Sequence, residues 1–556
     1  MFRAQGDGDG LAGHFAGPLI TASGRVEAGT IQHRTLADVA DAGQAPAQLV
    51  VLPGQGLGGC FLHGGHFTLD VNPRQVYILV MGKTPFFPAW RARLAPLQAA
   101  VQAVRSQPLP HLQGLFGPWI PQEALAREKQ GPGSRHRVFP LELTFWAFLG
   151  QILNPGASCR EAVRQVLALF CLAGKDAVDE QTSGYCQARQ RLPLPRLQQI
   201  LGRIAQGARR ACPKARLWRG CEIKVVDGST ATMADTPAHQ KVFPQQRMQK
   251  PGCGFPIMRL VGLFSLTTGC LVGVATGSYY GAELSLFRRL WHFLKPRDVL
   301  LADRHFSDYG TLACLWNWGV DAVMRMNQAR SKDFRQGRYL GPGDRLITWK
   351  KPAQRTRTLG ARLWASLPEV LTLRMIRVRC AAKGFRTREL VLVTTLLDPE
   401  KYPAAEIAQL FLQRWSVELL FGDLKTILKM EHLRCQSPAM VQKEFFMHLI
   451  GYNLIRALML QSARRHDVPL ERLSFKGSVD AVRHYSAALA QAKTKTKAAQ
   501  LAKELLRVLA ADLVPDRPGR REPRAVKRRP KPYSLLTKPR HQFVEIPHRG
   551  KYRAAP

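Results

Sequence analysis

The sequence predicts a mixed α/β fold in which strands and helices follow the order βββ-α-β-α-β, with further helices on either side of this stretch. Two observations predict it. Between residues 222 and 326, short apolar runs rich in β-branched residues alternate with segments of helical periodicity. Before and after this stretch, apolar residues recur at helical spacing. The chain has 556 residues, of which 46% are hydrophobic, so it can form several cores.

Residues 98–216 are predicted to be helical. Ser158-x-x-Glu161 follows a Pro-Gly pair and is a capping box, the signature of a helix N-terminus. Apolar residues then recur at helical spacing as far as Phe170. The sequence therefore predicts an amphipathic helix that starts near Ser158 and buries one face.

A second helix is predicted from about Thr182 to Leu192, where Pro193 ends it. It is polar and basic, and Arg189 and Arg191 are our candidates for contacts with DNA. Two short helices of which the second is basic are typical of a helix-turn-helix DNA reader. The alternative is an ordinary helical bundle with a charged outer face.

The central stretch supplies the sheet. The uncharged segment Leu260–Ala282 has the length of a membrane span, but Thr267-Thr268-Gly269 divides it, so we interpret it as a buried hairpin. The predicted elements are, in order, a strand at Glu222–Val226, the hairpin at Leu260–Thr276, a helix at about Glu283–Leu294, a strand at Val299–Ala302, a helix at Tyr309–Trp318 and a strand at Asp321–Met326. This is the order of a ribonuclease-H-like fold.

Residues 327–390 interrupt this order and are predicted to be a β-rich insertion, with a turn at Gly341-Pro342-Gly343. A strand at Leu390–Leu396, a long helix from about Ala404 to Met430 and further helices to about Leu513 follow. The predicted domains are an N-terminal extension (1–97), a helical DNA-binding domain (98–216), a ribonuclease-H-like catalytic core (217–326 and 391–435), the β-rich insertion (327–390), a C-terminal helical region (436–514) and a basic tail (515–556).

The charge of the chain favours a polyanionic partner. Lys and Arg number 81 against 40 Asp and Glu, a net charge of +41. Each phosphate that a cation neutralises releases counterions, so this excess strengthens binding to nucleic acid. The alternative is a solvated basic surface. The tail from Pro515 to Pro556 has thirteen Lys and Arg against three Asp and Glu, and we interpret it either as an arm on DNA phosphates or as a solubilising segment.

The first 80 residues differ from the rest of the chain. They are rich in Gly, weakly periodic, and carry four Lys and Arg against six Asp and Glu. Two interpretations of the N-terminal extension stay open. It is a poorly ordered appendage, or it results from a start codon upstream of the true one.

Cysteine usage and the N-terminus indicate the compartment. None of the eleven cysteines forms a C-x-x-C pair, so the sequence predicts neither a zinc ribbon nor a disulfide framework. No signal peptide precedes the chain. A reducing cytoplasm fits these observations best, and we expect no association with a membrane.

Two carboxylates are predicted at the ends of strands. Asp227 directly follows the strand Glu222–Val226, and Asp303 directly follows Val299–Ala302. Strand ends can converge on one edge of a sheet, and a few carboxylate oxygens there suit Mg²⁺. Two such ions would activate an attacking hydroxyl and stabilise the leaving oxygen of a displacement at phosphorus. The alternative is that each Asp caps a turn.

A third carboxylate lies on the predicted long helix. Phe411, Arg414, Glu418 and Lys425 are spaced at i, i+3, i+7 and i+14 and so form one stripe. An apolar stripe beside it, from Val417 to Leu428, can pack on the sheet. A carboxylate between two cations suits a metal site that holds a phosphate backbone. The alternative is an ordinary surface ion pair between Arg414 and Glu418.

These residues resemble the signatures of a known family. The segment Arg414-x₃-Glu418-x₆-Lys425 is similar to the Y-x₂-R-x₃-E-x₆-K signature of the insertion-sequence-four family of DDE transposases. Asp227-Gly-Ser-Thr and Ala-Asp303-Arg304-x-Phe are similar to its two aspartate motifs, and the helix around Arg189 is similar to its N-terminal DNA-binding region. The resemblance covers roughly residues 105–540. Phe411 departs from the signature, because it lacks the hydroxyl of the usual tyrosine.

The resemblance implies a cut-and-paste transposase that binds terminal inverted repeats, forms hairpins at the element's ends and joins them to target DNA. It implies two Mg²⁺ ions, replaceable by Mn²⁺, at the carboxylates of Asp227, Asp303 and Glu418. It also implies a homodimer in the DNA complex and a bacterial, nucleoid-associated location. Two other interpretations are a structure-selective nuclease of the same fold and an inactive DNA-binding relative.

The resemblance further implies residues that contact DNA. Arg304, Arg414 and Lys425 are expected to bind phosphates. An aromatic ring of the insertion is expected to stack on a flipped base, which costs a few kcal/mol to extrude. Trp349 is the first candidate for this ring and Trp364 the second. The alternative for both is packing inside the insertion.

Overall fold

The computed structural model describes residues 58–62, 65–69, 71–72, 75–76, 110–126, 138–172, 180–250, 252–379, 389–492, 494–515 and 542. The chain divides into two compact units, Met1–Thr84 and Pro85–Pro556. In the first unit, strands Gly58–Leu62 and Gly65–Leu69 pair in antiparallel fashion, as do Val71–Asn72 and Gln75–Val76. The basic tail beyond residue 515 lies outside the described residues, except for residue 542.

The helices of the second unit bear out the predicted helical regions. They are α1 (Pro110–Phe116), α2 (Gln122–Leu125), α3 (Leu141–Leu153), α4 (Cys159–Leu172), α5 (Ser183–Arg191), α6 (Leu194–Ala211), α7 (Pro237–Val242), α8 (Glu283–Arg288), α9 (Tyr309–Asn317), α10 (Ala361–Ala365), α11 (Ala404–Leu412), α12 (Ser416–Gly422), α13 (Pro438–His466), α14 (Phe475–Ala490) and α15 (Lys495–Ala511). The predicted capping box is half formed: the Glu161 amide donates to Ser158 Oγ at 3.1 Å, but the Glu161 carboxylate accepts from Asn154 instead.

One ten-stranded sheet organises the unit. Its strands are β1 (Ile223–Met233), β2 (Ile257–Ser265), β3 (Leu271–Ser278), β4 (Val299–Ala302), β5 (Asp321–Arg325), β6 (Arg338–Gly341), β7 (Asp344–Lys350), β8 (Val370–Arg379), β9 (Glu389–Thr394) and β10 (His432–Leu433). The order is β6-β7-β8-β9-β5-β4-β1-β2-β3, and β10 pairs with β1. Neighbours β1, β4 and β5 are parallel, while β1, β2 and β3 form an antiparallel meander.

The insertion is β-rich, as predicted, and its strands are part of this sheet. Strand β9 pairs with β5 in antiparallel fashion, and β8, β7 and β6 then extend the sheet outwards. The predicted alternating segments therefore do not close a small separate domain. They continue the pairing at the edge that β5 would otherwise expose, which removes an unpaired edge strand.

Successive residues of β1 face two different cores, as expected for a strand covered on both sides. Val225 belongs to the larger core, which includes helices α3, α6, α12 and α13. Val226 belongs to the smaller core, which includes α8, α9 and the insertion strands. The helices between 110 and 211 thus pack in the same core as the sheet, through contacts of α3 and α6 with α13, and do not form a separate domain.

The central helix α13 is buried along most of its length. Among the described residues, no helix is both long and apolar enough to cross a membrane.

Helix α13 contains a buried histidine. His448 is 5% exposed, and its Nδ1 has no hydrogen-bond partner among the described residues. Burial lowers the pKa of His448 from 6.5 to about 4, because a charged imidazole would be desolvated.

We expect His448 to make the protein sensitive to mild acid. Because the unfolded chain binds this proton near pH 6.5 and the folded chain only near pH 4, stability falls as the pH drops between these values. The loss approaches about 3 kcal/mol. Urea unfolding at pH 7 and pH 4.5 measures it, and the variant His448→Gln should show a shallower pH dependence. Equal pH dependence in the two proteins would contradict the assignment.

Candidate active site

The strand pairing brings Asp227 and Asp303 level with one another. Strands β1 and β4 are parallel, and Val225 pairs with Leu301. Asp227 and Asp303 each lie two residues further on, so they are level with one another. Strand β4 ends at Ala302, as predicted, and Asp303 begins the loop. The predicted end of β1 at Val226 is wrong: the strand continues to Met233, because its other edge stays paired with β2. Asp227 therefore lies within a strand, at the point where its neighbour stops.

The Asp227 carboxylate has both anionic and cationic neighbours. Its Oδ1 accepts a hydrogen bond from the Gly228 amide at 2.8 Å, and its Oδ2 is 3.7 Å from Arg414 Nη1. Burial raises the pKa of Asp227, and the nearby carboxylates of Asp303 and Glu283 raise it further, while the amide and Arg414 oppose this. Added positive charge would relieve this accumulation of negative charge.

Glu418 faces the same cleft as Asp227. The cleft has a volume of about 320 Å³ and is lined by Asp227, Gly228, Ser229, Glu418, Phe421, Gly422, Lys425, Thr426 and Glu431. Glu418 lies in the first turn of α12 and is exposed. Within the described part of the chain, no three His, Cys, Asp or Glu side chains lie close enough to hold one metal ion. The site is thus open, with two level aspartates and a glutamate on the facing helix.

The predicted long helix changes its winding around the site. It consists of α11, a 3₁₀ turn at Gln413–Trp415, α12 and a π turn at Asp423–Ile427. A π turn takes more residues per turn, so the regular spacing from Glu418 to Lys425 does not hold. Lys425 still lines the cleft, with its Nζ 3.9 Å from Glu431 Oε1. The π turn is attached to α13 by a buried ion pair between Asp423 and Arg456.

The apolar stripe packs on the sheet as predicted. Val417, Leu420, Phe421, Leu424 and Leu428 are all at most 7% exposed. Gly262 pairs with Asp227 in the sheet, and a Cβ atom at Gly262 would lie 3.2 Å from the Phe421 ring. The missing side chain at Gly262 therefore lets the helix of Glu418 approach the strand of Asp227.

We expect Gly262→Ala to separate these two elements. The added methyl group would also lie 2.9 Å from Phe264, so the variant should lose about 1–3 kcal/mol of stability and most of its activity. A matched control is Gly202→Ala in α6, where the methyl group meets no atom within 4 Å. Urea unfolding compares the free energies of unfolding of the two variants. A Gly262→Ala protein as stable and active as the control would contradict this account of the helix position.

Several predicted DNA contacts are not exposed. Arg189 is 9% exposed, and its guanidinium lies 4.9 Å from the Phe148 ring and 5.1 Å from the Tyr185 ring, so it packs inside the helices. Arg191 is partly buried. In this conformation the bundle alternative describes α5 better than a base-reading helix does.

The two tryptophans of the insertion are also buried. Trp349 is 5% exposed, with the Arg330 guanidinium 4.3 Å from its ring, and Trp364 is 9% exposed. Neither ring is presented as a platform for a base, so the packing alternative describes both. Phe411 is 2% exposed and lies 5.9 Å from the Arg414 guanidinium. Arg304 is partly buried next to Asp303.

Glu283 begins helix α8, as predicted, and is not among the predicted site residues. The structure places its carboxyl group against Gly228, 2.9 Å from where a Cβ atom would lie, and 3.6 Å from Arg259 Nη1. No spacing pattern in the sequence connects Glu283 to Asp227, because the pairing of β2 with β3 brings them together. Asp423 is not among the lining residues of the cleft and pairs with Arg456.

Comparisons with known proteins agree with this geometry. Residues 218–454, which include Asp227, Asp303 and Glu418, match the family model described as the transposase DDE domain. The chain is 25% identical over 429 residues to the transposase InsG for insertion sequence element IS4 of Escherichia coli (strain K12), covering 76% of this chain and 94% of InsG. It is 34% identical over 65 residues to the transposase for insertion sequence element IS421 of Escherichia coli, covering 12% of this chain and 18% of that one.

A solved structure shows a weaker likeness. The cryo-EM structure of the piggyBac transposase synaptic complex with hairpin DNA aligns with 73% of this chain and 87% of its own, at 11% identity and a TM-score of 0.37. The family model over residues 218–454 and the match to nearly the whole length of InsG both indicate a DNA transposase. The chain is a DNA transposase with a transposase DDE domain at residues 218–454, and it is similar to the insertion-sequence-four family of DDE transposases.

Proposed function

We propose that the protein cuts element ends and joins them to target DNA at one centre formed by Asp227, Asp303 and Glu418. The observation that carries the proposal is the register of β1 and β4, which brings Asp303 level with Asp227, while Asp227 and Glu418 line one cleft. The strand order β3-β2-β1-β4-β5, with a helix after β4, supports a ribonuclease-H-like core for this half of the sheet.

The family implies dependence on a divalent metal ion, and the donor set fits one. The three side chains are carboxylates. Burial raises the pKa of Asp227, and the carboxylates of Asp303 and Glu283 raise it further. We propose that Asp227, Asp303 and Glu418 hold Mg²⁺, or Mn²⁺ in its place. When bound, the ions supply an activated hydroxyl and a stabilised leaving oxygen. The described carboxylates do not meet at one point, so the proposal requires DNA or the metal ions to bring Glu418 toward the aspartates.

The cations near the carboxylates position the phosphate backbone. Lys425 lines the cleft and can bind a phosphate next to the one that reacts. Arg414 is 8% exposed and directed at Asp227, so it orients that carboxylate and offsets its charge. Arg304 directly follows Asp303 in the sequence and is partly buried, and we propose that it binds a phosphate of the DNA that reaches Asp303. We propose that a homodimer brings two ends together, each at its own centre.

The helices between 110 and 211 bind the terminal repeats in this proposal, although not through Arg189. Helix α6 carries four arginines, of which Arg203 and Arg210 are exposed, and its apolar side is buried against α13. A basic outer face on a buried helix is suited to phosphates more than to base edges. The binding of the repeats therefore depends on surface cations and on the shape of DNA.

An assay for joined DNA tests the proposal. The purified protein is incubated with a labelled duplex of the element's end and a circular target plasmid, in Mg²⁺ or in EDTA. The expected products are cut ends and ends joined to the plasmid, and only in Mg²⁺. Cutting without joining would support the nuclease interpretation, and binding without cutting would support an inactive relative.

A further inference from the structure

The segment between Thr236 and Pro256 is basic and exposes large apolar side chains. It contains no Asp or Glu and has three cations, Lys241, Arg247 and Lys250. Met248 is 96% exposed and Phe255 is 45% exposed. Soluble proteins bury most side chains of this size, so an exposed group of them beside cations marks a surface for binding.

Its own hydrogen bonds hold this loop in shape. The Gln245 side chain accepts from the Gly254 amide at 3.0 Å and donates to the Lys250 carbonyl at 2.8 Å, so it closes the loop from inside. Gln240 donates to the Gly254 carbonyl at 2.9 Å, and Tyr280 Oη donates to the Gln245 carbonyl at 2.8 Å. The tip with Met248 is therefore presented on an ordered base, which lowers the entropic cost of binding.

The loop is continuous with the active site. It joins β1 to β2 beyond the pair Thr232–Ile257, five residues past Asp227, which is about 17 Å along a strand. The Phe255 ring contacts the exposed His432 ring at a centroid distance of 5.9 Å. His432 follows Glu431, which lines the cleft. One surface thus runs from the catalytic carboxylates to the tip of the loop.

We propose that this loop, whose base lies about 17 Å from Asp227, the length of about five base pairs, grips the duplex whose phosphate is cut, with Met248 as an apolar wedge in the minor groove. The proposal rests on the proposed function above. Apolar side chains flanked by cations enter base steps in this way and bend the duplex. Arg247, whose guanidinium lies 4.4 Å from the Tyr280 ring, and Lys250 bind the phosphates on either side.

Charge and distance favour duplex DNA as the occupant. A protein partner would need Asp and Glu side chains opposite the three cations of the loop, whereas a duplex supplies phosphates along its whole length. DNA is stiff over tens of base pairs, so a duplex seated at the carboxylates also passes a surface about 17 Å away. We assign the surface to the element's end, because that duplex occupies the cleft in both cutting and joining.

The test uses end duplexes that carry the fluorescent adenine analogue aminopurine at one of the steps about three to seven base pairs from the cut. Calcium replaces magnesium so that the DNA stays intact. With the wild-type protein we expect brighter fluorescence at one step, which reports unstacking. Met248→Ala should remove this signal and weaken binding about three- to tenfold, while Met248→Leu should keep both. The control Val370→Ala changes another exposed apolar side chain, on the insertion.

The salt dependence of binding tests the two cations. Each phosphate contact contributes a slope of about 0.9 to the dependence of affinity on salt, so Arg247→Ala with Lys250→Ala should lose about tenfold less affinity between 50 and 200 mM salt. The control Arg335→Ala removes an exposed cation of the insertion and should keep the wild-type slope.

Two results would overturn the inference. One is unchanged fluorescence, affinity and salt slope in the Met248 and cation variants. The other is a loss of joining to target with end binding intact, which would assign the surface to target DNA. Fluorescence and affinity are measured without cleavage. A wild-type protein that never cuts DNA would therefore contradict the proposed function, but the loop could still be tested by these two measurements. Because Met248 is 96% exposed, thermal melting should be the same for its variants.

Discussion

Glu418→Gln is expected to abolish cutting and joining, by at least about a thousandfold, and to leave the affinity for the element's end unchanged. Glutamine keeps the size and the neutral polar contacts, but it removes the negative charge that a metal ion needs. Glu418 is exposed at the start of α12, so the fold does not depend on it. Gel shifts measure binding, and labelled end duplexes in Mg²⁺ measure cutting.

A matched control for Glu418→Gln is available on the preceding helix, α11. Glu406 lies in the first turn of α11 and forms an exposed ion pair with Arg219, with 2.9 Å between Arg219 Nη2 and Glu406 Oε1. Glu406→Gln makes the same chemical change away from the cleft and should retain full activity. If Glu418→Gln cuts DNA as well as Glu406→Gln does, then Glu418 is not the third carboxylate.

Arg374→Met is expected to cause the largest loss of stability, about 3–5 kcal/mol. Arg374 is completely buried and donates to Asp344 through Nε at 2.9 Å. Its Nη1 also donates to the Tyr402 carbonyl at 2.6 Å, so it joins the insertion strands to the segment that leads into α11. The variant leaves the Asp344 carboxylate buried without a partner. Since this segment leads to Glu418, we also expect activity to fall.

Two controls separate the ion pair from general damage. Arg335→Met breaks an exposed pair with Asp333 in the same insertion and should leave stability unchanged. Replacing both partners, with Arg374→Met and Asp344→Leu, removes the stranded charge and should recover much of the loss. Urea unfolding measures all three. An Arg374→Met protein as stable as Arg335→Met would show that the pair does not hold the insertion to the core.

The elements that carry the site could be predicted because local signals define them. The apolar run Val299–Ala302 ends at Asp303, and the strand has these bounds. The apolar stripe beside Glu418 packs on the sheet because its spacing is helical. Each of these features depends on residues that are close in sequence, where periodicity is informative.

Other features depend on pairing between distant residues, which a single sequence does not reveal. Strand β1 continues past Asp227 because β2 pairs with it as far as Thr232. The position of Glu283 against Gly228 follows from the same meander. The insertion joins the main sheet through β9, and the prediction of a β-rich insertion did not specify which strand it would pair with. Long-range pairing decided each of these differences.

Burial accounts for the remaining differences between the predicted and the observed site. Arg189 and Trp349 have the side chains that bind DNA elsewhere, and their types suggested DNA contacts. Both instead pack in the protein, against Tyr185 and beneath Arg330 respectively. A guanidinium on an aromatic ring is favourable inside a protein as well as at a DNA surface. Residue type therefore could not distinguish the two uses.

The most direct test of the account is the separation of the three carboxyl groups in a structure of the protein with an end duplex and a divalent metal ion. We predict that the carboxyl groups of Asp227, Asp303 and Glu418 lie within about 4–8 Å of one another, close enough to share two ions about 4 Å apart. An ordered complex in which Glu418 stays more than about 12 Å from both aspartates would contradict it.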